Sequence, residues 1–128
     1  MMDKMEMLSN QEVIDYASGH SGSQSRWLAI DELTRRALED ERLLDIACLK
    51  IGEDRAIKPH YIPYGSHLAV ARILNSGKES AIRILLREMD SWTAYEQEDA
   101  ISPWAGHERV AAATRELTDR YSWLPKYI

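Results

Sequence analysis

Several absences narrow the reading of this 128-residue chain. It has one cysteine, Cys48, which excludes an intrachain disulfide and a cysteine-based metal cluster. No apolar run approaches the roughly 18 residues a membrane helix requires. The stretch MMDKMEMLSN carries Asp3 and Glu6 and has no apolar core, so no signal peptide is expected and a cytoplasmic location is. No segment alternates cleanly between apolar and polar residues, which leaves no convincing strand. A phosphate-binding loop, a GxGxxG turn, a GxSxG elbow, an HExxH helix, a CxxC pair and an EF-hand loop are all missing. The chemistries that depend on them are therefore not indicated, and neither a cofactor nor a metal is expected.

The composition is 45% hydrophobic with a net charge of −5. That suits one folded domain, residues 1–128, large enough to bury its own core. The window from Glu88 to Glu108 has no Lys or Arg and holds six acids: Glu88, Asp90, Glu96, Glu98, Asp99 and Glu108. Setting those six aside from the 21 acids leaves fifteen against 16 bases, so the negative excess sits in this one segment. An acidic domain lacks the cations that displace counterions from nucleic acid. Arg35, Arg36 and Arg42 are the only small basic cluster, so no nucleic-acid partner is expected.

Helical signals fill most of the chain. Ser9 with Glu12 forms a capping box before Val13, Ile14 and Tyr16, and Gly19 closes that helix. SGSQS reads as a loop. In RWLAIDELTRRAL, the residues Trp27, Ile30, Leu33 (or Thr34) and Ala37 share one face. EDERLLDIACLKIG repeats the pattern with Leu43, Leu44, Ala47, Cys48 and Ile51, and Gly52 is placed to end it. EDRAIKPHYIPY is a loop broken by Pro59 and Pro63, with a short turn around Arg55 to Lys58. SHLAVARILNSG starts on Ser66 as N-cap and ends at Gly77. KESAIRILLREMDSW turns Ile82, Leu85, Leu86 and Met89 inward. Thr93 with Glu96 is a second capping box, opening a short helix that stops before Pro103. HERVAAATRELTDRYSW is the last long helix.

Placed at a spacing of 40 residues, Trp27, His67 and His107 align, as do Ile30, Val70 and Val110. Pro63 then matches Pro103, Tyr64 matches Trp104, and Leu28 with Ala29 matches Leu68 with Ala69. This gives possible units 22–61, 62–101 and 102–128. A two-helix repeat of about 40 residues is the period of HEAT and armadillo units. On this period and apolar pattern the chain resembles a short HEAT-like α-helical repeat protein over residues 22 to 123. The mid-helix proline typical of the first HEAT helix is absent. The resemblance implies an all-α fold of about six or seven helices, in hairpins stacked as a short solenoid or a compact bundle. In style the chain is also similar to immunity proteins of bacterial polymorphic toxin and contact-dependent inhibition systems. That likeness implies a non-enzymatic module that occludes a cognate, basic, nuclease-like toxin domain.

The repeated corners IPYGSHLAV and SPWAGHERV pose a choice between a duplicated chemical site and one structural corner built twice. Neighbouring helix axes lie roughly 8–10 Å apart, too far for His67 and His107 to share one metal ion. Trp27 in place of histidine in the first unit also favours structure. His60 sits in a loop with no evident partner for acid–base work, and Cys48 falls on an apolar stripe. A small enzyme using His60, His67 or His107 with nearby carboxylates stays open as the alternative, as does a general HEAT-like adaptor. The expected partner-binding residues combine the acids with aromatics suited to interface anchors: Asp90, Trp92, Tyr95, Glu96, Glu98, Asp99 and Trp104, with Tyr61 and Tyr64 from the preceding loop. The bland counterpart is a solvated acidic face with its tryptophans buried between units. No membrane partner is expected.

Overall fold

A computed structural model describes residues 5–18, 23–57, 64–101 and 108–126. The described residues contain helices and no strand, so the fold is all-α as expected. The first helix, α1 (Asn10–Tyr16), opens on the Ser9 capping box. Glu12 N donates to Ser9 Oγ at 3.2 Å, and Ser9 N donates to Glu12 Oε1 at 3.0 Å. Helix α2 spans Ser23–Glu39, α3 Leu44–Ile57, α4 Tyr64–Ser76 and α5 Glu79–Met89. Two short helices follow, α6 (Ala94–Ile101) and α7 (Glu108–Thr114). Gly77, with φ of 68°, ends α4 in the left-handed conformation that glycine adopts without strain.

The apolar stripes become the core. Ile30, Leu33 and Ala37 of α2, Leu44, Ala47, Cys48 and Ile51 of α3, and Ile82, Leu85, Leu86 and Met89 of α5 are all buried. Each large side chain so buried contributes about 1.5–3 kcal/mol of transfer free energy. Helix α2 packs on α3 and lies along α4; α3 lies along α5, and α7 rests on α5 and α4. Helix α1 covers one flank of α2, and α6 packs against α4. Glu41 with Ser80, Leu38 O with Lys78 Nζ, Asp31 with Arg72, Arg55 with Glu96, and Asp45 with Arg87 are bonded pairs 39 to 42 residues apart. These bonds tie α2 and the turn after it to α4 and the start of α5, and α3 to α5 and α6.

The structure departs from the sequence reading in five places. SGSQS is not all loop, because α2 already begins at Ser23. Its first turn is held by Arg26, which donates from Nε to Asp54 Oδ1 at 2.5 Å. Gly52 does not stop α3; it is buried mid-helix, and the chain stays helical to Ile57. That extension shortens the loop placed over EDRAIKPHYIPY. Ser66 is not an N-cap but lies inside α4, with Oγ 2.7 Å from Asp54 Oδ2 and 3.2 Å from the Ile51 carbonyl. The final helix is much shorter than His107–Trp123. It tightens to a 3-10 turn at Arg115–Leu117, after which Arg120 N and Tyr121 N both donate to the Leu117 carbonyl. Buried Leu117, Tyr121 and Leu124 draw the chain into turns that a straight helix could not make.

Candidate functional site

Helix α6 and the turn before it carry most of the candidate residues. Four attachments fix this segment. Thr93 N and Thr93 Oγ1 donate to Glu96 Oε1 at 2.9 and 3.0 Å, and Glu96 N donates to Thr93 Oγ1 at 3.2 Å, which completes the expected capping box. Arg55, in the last turn of α3, donates from Nη1 to both Glu96 oxygens at 3.1 and 3.2 Å. Gln97 Nε2 donates to the Met89 carbonyl at 2.9 Å. His67 Nε2 lies 2.9 Å from the Asp99 carbonyl, so that nitrogen carries the hydrogen, and 3.7 Å from Asp99 Oδ2. His67 therefore ties α4 to α6, an interhelical role.

Burial divides the candidate residues. Trp92 is 4% exposed, and Arg55 Cζ sits over its ring at 5.2 Å. Glu96 is also 4% exposed. Burial pushes the Glu96 carboxyl up, but the bonds from Thr93 and the Arg55 guanidinium outweigh it and hold the group below the usual carboxylate range. Both residues are buried and engaged within the fold. Asp90, Tyr95 and Glu98 are exposed and Asp99 is half-buried; Tyr95 keeps 56% of its surface. Tyr95, Glu98 and Asp99 follow the i, i+3, i+4 spacing of one helix face. Tyr64 lies in the first turn of α4; its side chain, and Tyr61 and Trp104 altogether, fall outside the described residues, as do His60 and His107.

A second carboxylate stands behind this face. Glu88 lies over Gly52, where a Cβ would meet Glu88 Oε2 at 2.2 Å. Burial raises the Glu88 carboxyl above its ordinary range; the Trp92 indole and Arg55 pull it back, and Glu53 adds to the rise. Among the described residues Trp92 Nε1 and Arg55 Nε have no acceptor in hydrogen-bond geometry, so the influence of Trp92 on Glu88 is electrostatic proximity rather than a formed bond. Cys48 is buried, and desolvation, reinforced by the Glu88 and Asp45 charges, drives its thiol up to about 12. A thiol so protonated is no nucleophile. Among the described residues no group of three His, Cys, Asp or Glu could hold a metal ion. No helix among them is long and apolar enough to cross a membrane. Two grooves of about 460 Å³ lie at the other ends of α2 and α4, sharing Leu38 in their walls.

Sequence reasoning missed the buried cluster of Arg26, Asp54 and Ser66, with Arg26 3% and Asp54 0% exposed. A signal was present: Arg26 continues the α2 stripe of Ile30, Leu33 and Ala37, and Asp54 continues the α3 stripe of Ala47 and Ile51. A charge on an apolar stripe needs a buried partner. The bond from Trp123 Nε1 to Asp90 Oδ1 at 2.9 Å joins residues 33 apart, and nothing local announces it. Comparison with protein-family models, characterised proteins and solved structures finds no match to this chain.

Proposed function

We propose that the chain is a non-enzymatic protein-binding module whose α6 face engages a basic protein. The observation that carries this reading is the division of labour along one short segment. Trp92, Thr93, Glu96 and Gln97 are spent on attaching α6 to the body, while Tyr95, Glu98, Asp99 and the neighbouring Asp90 face outward. Among the described residues no Lys or Arg pairs with Glu98, Asp99 or Asp90. A rigid face with an exposed tyrosine and uncompensated carboxylates provides an aromatic anchor and the electrostatic steering of a binding surface. Preorganisation by the Arg55 clamp lowers the ordering cost of association. In this reading the partner is a toxin domain of nuclease-like basicity, the chain acts in the manner of an immunity protein in the cytoplasm, and the stacked hairpins are of the HEAT type. The carboxylates would stand where the toxin's nucleic-acid phosphates lie.

The test is capture of partners by the tagged protein from lysate of its own host, beside a variant carrying Glu98→Lys and Asp99→Lys. These positions avoid Glu96, whose loss would loosen α6 itself. A single basic protein held by the natural chain and released by a variant of unchanged melting temperature supports the reading. A stoichiometric partner retained by the variant moves the binding surface elsewhere. No partner under either condition counts against a binding module.

A further inference from the structure

We infer that Asp90 and the half-buried ring of Trp123 form a docking corner for one guanidinium side chain of a basic protein. The inference rests on the protein-binding reading and names a contact within it. Asp90 is the C-cap residue of α5, its N–H given to the Leu86 carbonyl at 2.9 Å. The last turn of a helix concentrates partial negative charge, which disfavours an aspartate there and favours a cation. The Asp90 side chain is exposed, and its one bond among the described residues comes from a neutral donor, Trp123 Nε1, on Oδ1. Oδ2 therefore keeps its accepting capacity, at a place where the carboxylate and the helix end both attract positive charge.

Trp123 supplies the second element. The chain is anchored on either side of it by Tyr121, 6% exposed, and Leu124, 0% exposed. The rings of Tyr121 and Trp123 stand 6.1 Å apart at 51°. The indole is thus held at Asp90 rather than swinging freely. A cation within about 6 Å of an indole face is attracted by its quadrupole, and a carboxylate beside the ring adds a charge-assisted hydrogen bond. A planar guanidinium can meet both at once, stacking on the ring while donating to Oδ2, which a compact ammonium does less well. The Ser91 hydroxyl does not compete, because it donates to the Glu88 carbonyl at 2.8 Å. An anion would meet repulsion from Asp90 and from the helix end together.

The experiment follows the Trp123 indole N–H by ¹H–¹⁵N NMR, assigned with Trp123→Phe, while N-acetyl-arginine amide is added. N-acetyl-citrulline amide, the same shape without the charge, is the control. The expected result is a saturable shift with the arginine compound, roughly fivefold or more beyond that with citrulline, and its loss in Asp90→Asn, which keeps an acceptor for the indole. An indole unmoved by arginine, or moved equally by citrulline or in Asp90→Asn, overturns the inference. The two readings fail separately. Arginine binding at the corner with no captured protein sinks the binding module alone. Loss of capture on reversing Glu98 and Asp99, with no response at Trp123, sinks the corner alone.

Discussion

Replacing Asp54 by alanine should cost more stability than any single core truncation of similar volume. Its carboxylate is fully buried, accepts from Arg26 Nε at 2.5 Å and lies 2.7 Å from Ser66 Oγ. Three helices meet through it. Taking the acid away leaves the buried Arg26 guanidinium without the Asp54 charge, and breaking one half of a buried pair costs about 3–5 kcal/mol. Domains of this kind hold about 5–15 kcal/mol in all. With roughly 3–5 °C per kcal/mol for a chain of this length, the melting temperature should fall by about 9–25 °C. Asp54→Asn, which keeps an acceptor but not the charge, should lie between. The double variant Arg26→Met with Asp54→Leu should recover most of the loss, because a dry apolar pair avoids the dehydration cost of the ions. Urea denaturation of the natural chain, Arg26→Met, Asp54→Leu and the double variant closes a double-mutant cycle. A loss below about 1 kcal/mol in Asp54→Ala would refute the argument, since the buried Arg26–Asp54 pair would then contribute little to holding the native state.

Thr93→Ala removes one arm of the α6 capping box and should lower stability by about 1 kcal/mol, with hydrogen exchange accelerating in Ala94–Ile101 before the rest of the fold. The two carboxylates flanking Trp92 should respond to pH with opposite signs. The Glu96 carboxyl is lowered from its ordinary 4.5, so its stabilisation is present above that value and lost as pH falls through the lowered one. The Glu88 carboxyl is raised above 4.5, so stability declines as pH rises from 4.5 through the raised value, and Glu88→Gln should raise the urea midpoint at neutral pH but not below pH 4.5. Cys48, buried with its thiol held near 12, should resist a thiol reagent in the native state and react at once in urea, as mass spectrometry of the labelled chain would read.

Reciprocal local pairs and apolar stripes survived translation into structure, and single punctuating residues did not. Both capping boxes are formed, because each joins residues three apart whose geometry needs nothing from the rest of the chain. The inward residues of α5 are buried because a strong apolar stripe leaves no other orientation. Gly52 misled because glycine reads as a stop, whereas here it leaves room for the Glu88 carboxylate of a neighbouring helix. The start of α2 was hidden because the Ser- and Gly-rich stretch SGSQS reads as a loop, whereas the Arg26–Asp54 pair ties the first turn of α2 to α3. Among the candidate residues, residue type singled out Trp92 and Glu96 alongside Tyr95 and Glu98. Only packing separates the pair that holds α6 from the pair it presents.

That separation is what the functional account depends on. If α6 is a mount for an outward face, substitutions on the face should change binding without changing stability, and substitutions beneath it should change both. The most direct measurement is the dissociation constant of the captured basic protein for the natural chain and for the variant bearing lysine at positions 98 and 99, at one salt concentration. The account expects a loss of about 100-fold or more, near 3 kcal/mol, with the melting temperature unchanged. Affinities within about twofold of each other would contradict it and place the partner on another surface.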